Sequence, residues 1–352
     1  MKKILPLGNA LLQCYPNYVG ILSITDAYTK DYIPWIYDRF VQLVVPAEYE
    51  SGLRVDYAVP NIVKDFPWLD SGRIERDVIF EKWGSMVEFI KERISAGWYV
   101  HALFDVSKIT AYGDSGLMIH DPFIYGYDDL EKNMYFMDNY QYGKSAQGLA
   151  CYADINASSI SIMENYDSID WLGGIIYFRP KKIFDFGNGR FADSYKYKFD
   201  LPLYTLLLSD YLEERDSCKR WGNPSVLSDE NVAKNFWGIG IYKHFIDYVK
   251  MIKKKEYHVD LRASYVLREH KMLMKKTIRY LRKIEGLEIN KCVDAKMDAC
   301  IQLSTVTNNL FMKYICRNDN HILDKIMDYY KQLYEIDYLL VRELYDCLTA
   351  CI

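Results

Sequence analysis

His120-Asp-Pro-Phe-Ile-Tyr-Gly-Tyr-Asp-Asp-Leu-Glu-Lys-Asn-Met-Tyr-Phe-Met-Asp138-Asn-Tyr140 reads as two strands joined by a polar loop. Residues 117–127 and 134–140 are apolar and aromatic. Between them Asp128-Asp-Leu-Glu-Lys-Asn133 has turn chemistry. If the loop centres near residue 130, Asp138 faces residues 122–124, one diagonal step from His120. An even register sum then puts His120 and Asp138 on one face, and a slip of one residue separates them. Asp121 follows His120 directly and is expected on the opposite face. Asp138 is therefore the expected partner that orients the imidazole.

Working outward, Cys14 lies about a hundred residues earlier, in Asn9-Ala-Leu-Leu-Gln-Cys14-Tyr-Pro-Asn-Tyr-Val-Gly-Ile-Leu22. Residues 14–30 are expected to form a helix entered through Pro16, which suits a first turn. A thiol at a helix start gains thiolate character from the helix dipole. A free cysteine is otherwise usually a small buried hydrophobe, and the downstream His and Asp favour the chemical reading. The expected triad is Cys14 as nucleophile, His120 as base and Asp138 as orienting acid. Asn9 is the expected side-chain donor to an oxyanion, with Gln13, next to Cys14, as the alternative and the Cys14 backbone N–H as second donor. His101 is the rival histidine and reads as core. His244, His258, His270 and His321 fall in the helical half and read as structural or exposed. Cys347 and Cys351 sit one helical turn apart with no histidine nearby, so no metal site is expected.

The chain has 352 residues, half of them hydrophobic and 26% charged, which suits a two-domain soluble protein. No apolar run reaches about 18 residues, so no membrane span is expected. Met1-Lys-Lys-Ile-Leu-Pro6 has no long apolar stretch, and no signal peptide is read. The eight cysteines include no Cys-x-x-Cys pair, which fits a reduced, cytoplasmic protein. A net charge of −4 conceals a basic segment at 250–285, with twelve Lys/Arg against four Asp/Glu. Lys271, Lys275, Lys276 and Arg279 interleave there with Leu273, Ile278 and Leu281 on an amphipathic helix. Such a face is either plainly solvated or a dock for an acidic partner. An acidic chain without a nucleic-acid motif argues against nucleic acid.

Residues 1–185 read as mixed α/β. A helix is expected at 80–95, strands at 98–106 and 173–178, and irregular structure at 35–75. Residues 186–352 read as mainly helical, with helices at 203–215, 229–254, 259–284, 288–316 and 320–350.

The Cys, His, Asp chain order is that of papain-like cysteine sites. The segments Gly97-Trp-Tyr-Val-His-Ala-Leu-Phe-Asp-Val106, His120 to Asp129 and Tyr135-Phe-Met-Asp138 resemble the N-terminal domain family of butirosin biosynthesis protein H. They are also similar to the papain-like amide synthase of closthioamide assembly. The resemblance covers about residues 10–180 and implies an α+β papain-like fold. It further implies acyl transfer, through an acyl-cysteine, from the phosphopantetheine thioester of an acyl or peptidyl carrier protein to a small amine. No bound cofactor is implied, because the thioester is already activated. Cys14, His120 and Asp138 match the family's triad. Position 8 is Gly where such enzymes carry a glutamine about six residues before the cysteine. A cysteine peptidase or amidase, and a non-catalytic binding protein, are the rival readings.

Overall fold

The computed structural model describes residues 1–45, 53–113, 118–141, 143–185, 190–192, 195–222 and 235–351. The chain is α+β and divides into two compact units, 1–32 with 62–196 and 33–61 with 197–352. This corrects the expected division at 185/186. Residues 33–61 leave the first unit because Leu43–Val45 pairs with Asp56–Tyr57 on one side and with Phe236–Trp237 on the other. The soft boundary expected at 185–200 falls partly outside the described residues.

The first unit is built on a seven-stranded sheet. Its strands are β1 (Lys2–Ile4), β2 (Leu69–Ile74), β3 (Tyr99–His101), β4 (Phe123–Asp128), β5 (Asn133–Gln141), β6 (Lys144–Cys151) and β7 (Ile175–Pro180). The order is β6-β5-β4-β3-β7-β2, and every pairing is antiparallel; β1 joins the outer half of β4. Three helices matter to the site: α1 (Pro16–Asp26), α2 (Met86–Ser95) and α3 (Tyr152–Asn165). The run Tyr18 to Thr25 of α1 is buried on every side, as in a core helix. α1 lies directly on β4. A Cβ built at Gly20 would stand 2.2 Å from the Phe123 ring, so only glycine allows this approach.

Several local expectations change. The helix starts at Pro16, leaving Cys14 just ahead of it. The single helix expected at 80–95 is two, Arg76–Trp83 and α2. Gly84 closes the first at φ +72°, and Ser85 caps the second by accepting from the Glu88 N–H. The described part of 35–75 is not irregular; it holds the helices Ile33–Arg39 and Ile62–Asp65 and the strands Leu43–Val45, Asp56–Tyr57 and β2, while residues 46–52 lie outside the described residues. The stretch 98–106 splits into β3 and the short strand Phe104–Asp105. The expected strand 117–127 likewise splits into Ile119–His120 and β4, because Asp121-Pro122 interrupts it and proline cannot donate to a ladder. Residue 117 lies outside the described residues.

The second unit contains α4 (Leu201–Leu212), α5 (Ile241–Lys253), α6 (Leu261–Lys283), α7 (Cys292–Arg317) and α8 (Asn320–Thr349). The part of the expected helix 229–254 before residue 235 lies outside the described residues. Among the described residues, no helix is long and apolar enough to cross a membrane. At the centre of this unit the Lys271 ammonium lies 2.6 Å from Asp337, both fully buried. Tyr211 and Tyr242 donate to the same Asp337 oxygen at 2.7 and 3.0 Å. Lys271 sits four residues after Leu267 and three before Met274, on the buried face of α6. It is therefore a core residue, which corrects its expected place on a docking surface. Lys275 is paired with Asp298, and Arg279 is exposed.

Candidate functional site

Three layers of local structure place His120. Ser158 and Ser161 of α3 donate to the Asp105 backbone carbonyl at 2.8 Å and to its carboxylate at 2.6 Å. Phe104–Asp105 in turn pairs with Ile119–His120, with Phe104 opposite His120. The Val106 N–H closes the pairing on the Met118 carbonyl at 2.8 Å. His120 is thus held at the end of β4 on its own two-residue strand, and its side chain is 19% exposed while Asp138 is fully covered.

Asp138 arrives from β5. Near the turn, Asp128 opposes Asn133 and Gly126 opposes Tyr135; beyond an extra residue at Tyr125, Ile124 opposes Phe136 and Phe123 opposes Met137. This β-bulge shifts the register by one. His120 Nδ1 stands 2.5 Å from Asp138 Oδ2 and 4.0 Å from Asp121 Oδ1, so the imidazole hydrogen bonds to Asp138. That bond leaves Nε2 as the ring nitrogen for proton transfer.

Two further groups fix the Asp138 carboxylate. The Tyr112 hydroxyl donates to Oδ2 at 2.5 Å, and the Asn139 N–H donates to Oδ1 at 2.7 Å. Tyr112 was not anticipated. It sits on a single 3-10 turn, Thr110–Tyr112, far from any motif, and only its aromatic character could have drawn notice.

Asp121 is a second covered carboxylate at the site. Burial, and then the charge of Asp138, push its carboxyl up to about 7; His120 and the Trp171 indole pull the other way. Its Oδ2 is 3.5 Å from His101 Nε2. His101 is fully buried, stacks on Phe123 at 3.9 Å between ring centres, and is pushed down to about 3 by burial. It is a neutral core histidine at working pH.

Cys14 is buried at 7% exposure, two residues ahead of α1. The residue before it is tied to the residue after Asp138: Asn139 Nδ2 donates to the Gln13 carbonyl at 3.0 Å. α1 also packs against β5. The cysteine segment is therefore clasped to the strand that carries Asp138.

Of the two expected oxyanion donors, Asn9 is placed elsewhere and Gln13 stays beside Cys14. The Asn9 N–H donates to Asp26 Oδ2 at 2.7 Å, and the Gly8 N–H to the Ser23 carbonyl at 2.8 Å. Both acceptors lie in the last turn of α1. An 11-residue helix is about 16 Å long. Asn9 thus stands at the far end of α1 from Cys14 and does not face the thiol. Gln13 donates its side-chain amide to the Ala10 carbonyl at 3.1 Å.

Of the remaining histidines, His258 and His321 are exposed, and His270 is buried with Nε2 2.7 Å from the Val41 carbonyl. Among the described residues, no group of three or more His, Cys, Asp or Glu side chains could hold a metal ion. No family model matches this chain, and no curated protein matches it.

Proposed function

We propose that the chain is a cysteine-dependent acyltransferase on a papain-like α+β fold, forming an amide from a carrier-bound thioester and a small amine. The observation that carries this reading is the joint grip of two consecutive residues of β5. Asp138 holds His120, and Asn139 holds the residue before Cys14. A thiol ahead of a buried helix and an oriented imidazole thereby depend on the same two strand positions.

In this reading Cys14 Sγ attacks the thioester carbonyl while His120 Nε2 takes the thiol proton. The tetrahedral intermediate collapses, the C–S bond to the phosphopantetheine arm breaks, and that sulfur leaves with the proton from His120. The amine then attacks the acyl-cysteine, His120 takes its proton, and Cys14 is released as the thiol. Asp138 keeps its hydrogen bond to Nδ1 and steadies the imidazolium in both halves. The thioester is already activated, so the balance needs no nucleotide. Of the basic side chains expected to meet an acidic carrier, Lys276 and the exposed Arg279 remain as contact points.

The test is an S-acyl-N-acetylcysteamine incubated with the protein, followed by peptide mass spectrometry and then addition of an amine. An acyl adduct on Cys14 that an amine discharges to amide supports transfer. An adduct that water discharges equally fast to the free acid makes the protein a hydrolase. No adduct at Cys14 overturns the covalent mechanism and leaves a binding role.

A further inference from the structure

We propose that Tyr112 is a positioning residue of this site, acting on His120 through Asp138; the proposal deepens the reading above and rests on it. The hydroxyl of Tyr112 and Nδ1 of His120 both reach the same carboxylate oxygen, Asp138 Oδ2, each at 2.5 Å. The other oxygen is occupied by the Asn139 N–H. Three donors on two oxygens leave the carboxylate one rotation, with Oδ2 aimed at the imidazole. Hydrogen bonds to an ionised acceptor are among the stronger ones in proteins, and a bond of this kind resists reorientation as the imidazole gains and loses its proton.

The hydroxyl is delivered rigidly. Tyr112 is 4% exposed. Its ring lies parallel to Phe136 at 5.4 Å and 6°, and against Tyr140 at 4.8 Å. The turn that carries it is pinned to the start of α3, because Thr110 donates both its N–H and its hydroxyl to Asp154 at 3.1 and 3.0 Å. Burial first, then the charge of Asp138 and the bond to it, holds the phenol well above its ordinary range. Tyr112 is thus a donor, never a competing anion, wherever His120 could act as a base. Phe136 precedes Asp138 by two residues on β5, so the strand that places the carboxylate also places the ring that steadies its donor.

Removing only the hydroxyl concentrates charge on Asp138 and frees the carboxylate to rotate. Tyr112→Phe should lower kcat about ten- to a hundredfold, the cost of a small misplacement of reacting groups, and leave KM nearly unchanged. Independently of any substrate, NMR titration of labelled histidine should show the His120 midpoint moving upward, because a more concentrated negative charge favours the imidazolium. Tyr140→Phe is the control. Its hydroxyl points to the Gln147 carbonyl at 3.4 Å and not to Asp138, so it should change neither readout. An unmoved His120 titration in Tyr112→Phe overturns the proposal, as do equal losses in the two variants, which would mark a packing effect. The titration needs no turnover: a wild-type protein without transferase activity would sink the proposed reaction and leave the role of Tyr112 to be read from His120 alone.

Discussion

Asn139 donates its side-chain amide to the Gln13 carbonyl, 3.0 Å away and 126 residues earlier in the chain. The bond joins the last turn of chain before the thiol to the strand that supports the histidine. Both partners come from segments with no local reason to meet. Among the described residues the buried Oδ1 of Asn139 has no hydrogen-bond partner, so the bond to Gln13 is made through Nδ2.

Asn139→Ala should therefore release the 13–15 segment without unfolding the sheet. We expect a stability loss of about 1 kcal/mol, the ordinary worth of one hydrogen bond, measurable by denaturant melting. Acylation of Cys14 by an N-acetylcysteamine thioester should slow about tenfold or more, since the geometry of attack loosens. Wild-type acylation in this variant would show that α1 alone places the thiol.

Substitutions within the proposed triad should be unequal. Cys14→Ala and His120→Ala should each remove nearly all turnover, about 10⁶-fold, and combining them should add little. Asp138→Asn should cost about 10⁴-fold, because the nucleophile and base remain. Single-turnover rates with a chromogenic thioester decide this. A Cys14→Ala protein with wild-type rates would end the covalent scheme.

Asp121 should make stability depend on pH in a defined window. Its carboxyl lies near 7 in the folded protein, above the ordinary unfolded value of about 4. Between those values the folded state binds the extra proton, so this group's contribution falls as pH rises and is fully lost above about 7. His101 acts in the opposite sense. Its folded value of about 3 lies below the unfolded one, so its contribution grows as pH rises toward about 6.5. The two slopes offset each other in the wild type. Asp121→Asn removes one of them. The Tm difference, variant minus wild type, should grow from pH 4.5 to 7 and then level off. An unchanged difference between pH 5 and 8 would mean that Asp121 does not hold its proton in the fold.

Lys271 and Lys276 lie five residues apart on α6 and should behave oppositely. Lys271→Met strands the Asp337 carboxylate in the core and should cost about 3–5 kcal/mol. Lys276→Met, toward the solvent side, should stay within about 0.5 kcal/mol. Denaturant midpoints compare them directly, and equal small effects would refute the burial of Lys271.

Much of this architecture is legible from local pattern. The helices α6, α7 and α8 follow from 3.6-residue periodicity and end within a few residues of expectation, because a helix satisfies its backbone within itself. The hairpin β4–β5 follows from alternation around Asp128–Asn133. Ser85-Met-Val-Glu88 carried a capping signal for α2 that periodicity alone passes over. Less was legible wherever a partner lies far off in sequence. Leu43–Val45 and Asp56–Tyr57 form strands through pairing with each other and with Phe236–Trp237, and β6 with α3 was not anticipated at all. The placement of Lys271 was legible in its spacing from Leu267 and Met274, yet its charge argued for the surface. The buried Asp337 on another helix decided otherwise.

By itself the sequence determined which side chains could do thiol chemistry and in what order they follow one another: Cys14 before a helix, His120 and Asp138 flanking a hairpin. Only the tertiary structure decided that His120 and Asp138 meet. The turn alone sets an odd register sum, Asp128 against Asn133, which would put Asp138 opposite Phe123 and on the face of Asp121. The extra residue at Tyr125 restores the even sum, so Asp138 faces the His120 side. A one-residue bulge leaves no mark in apolar and polar alternation, because it depends on pairing across the sheet, where β4 meets β1 and β3 as well as β5. The same holds for Tyr112 and Asn139, whose partners are specified by contacts across the fold.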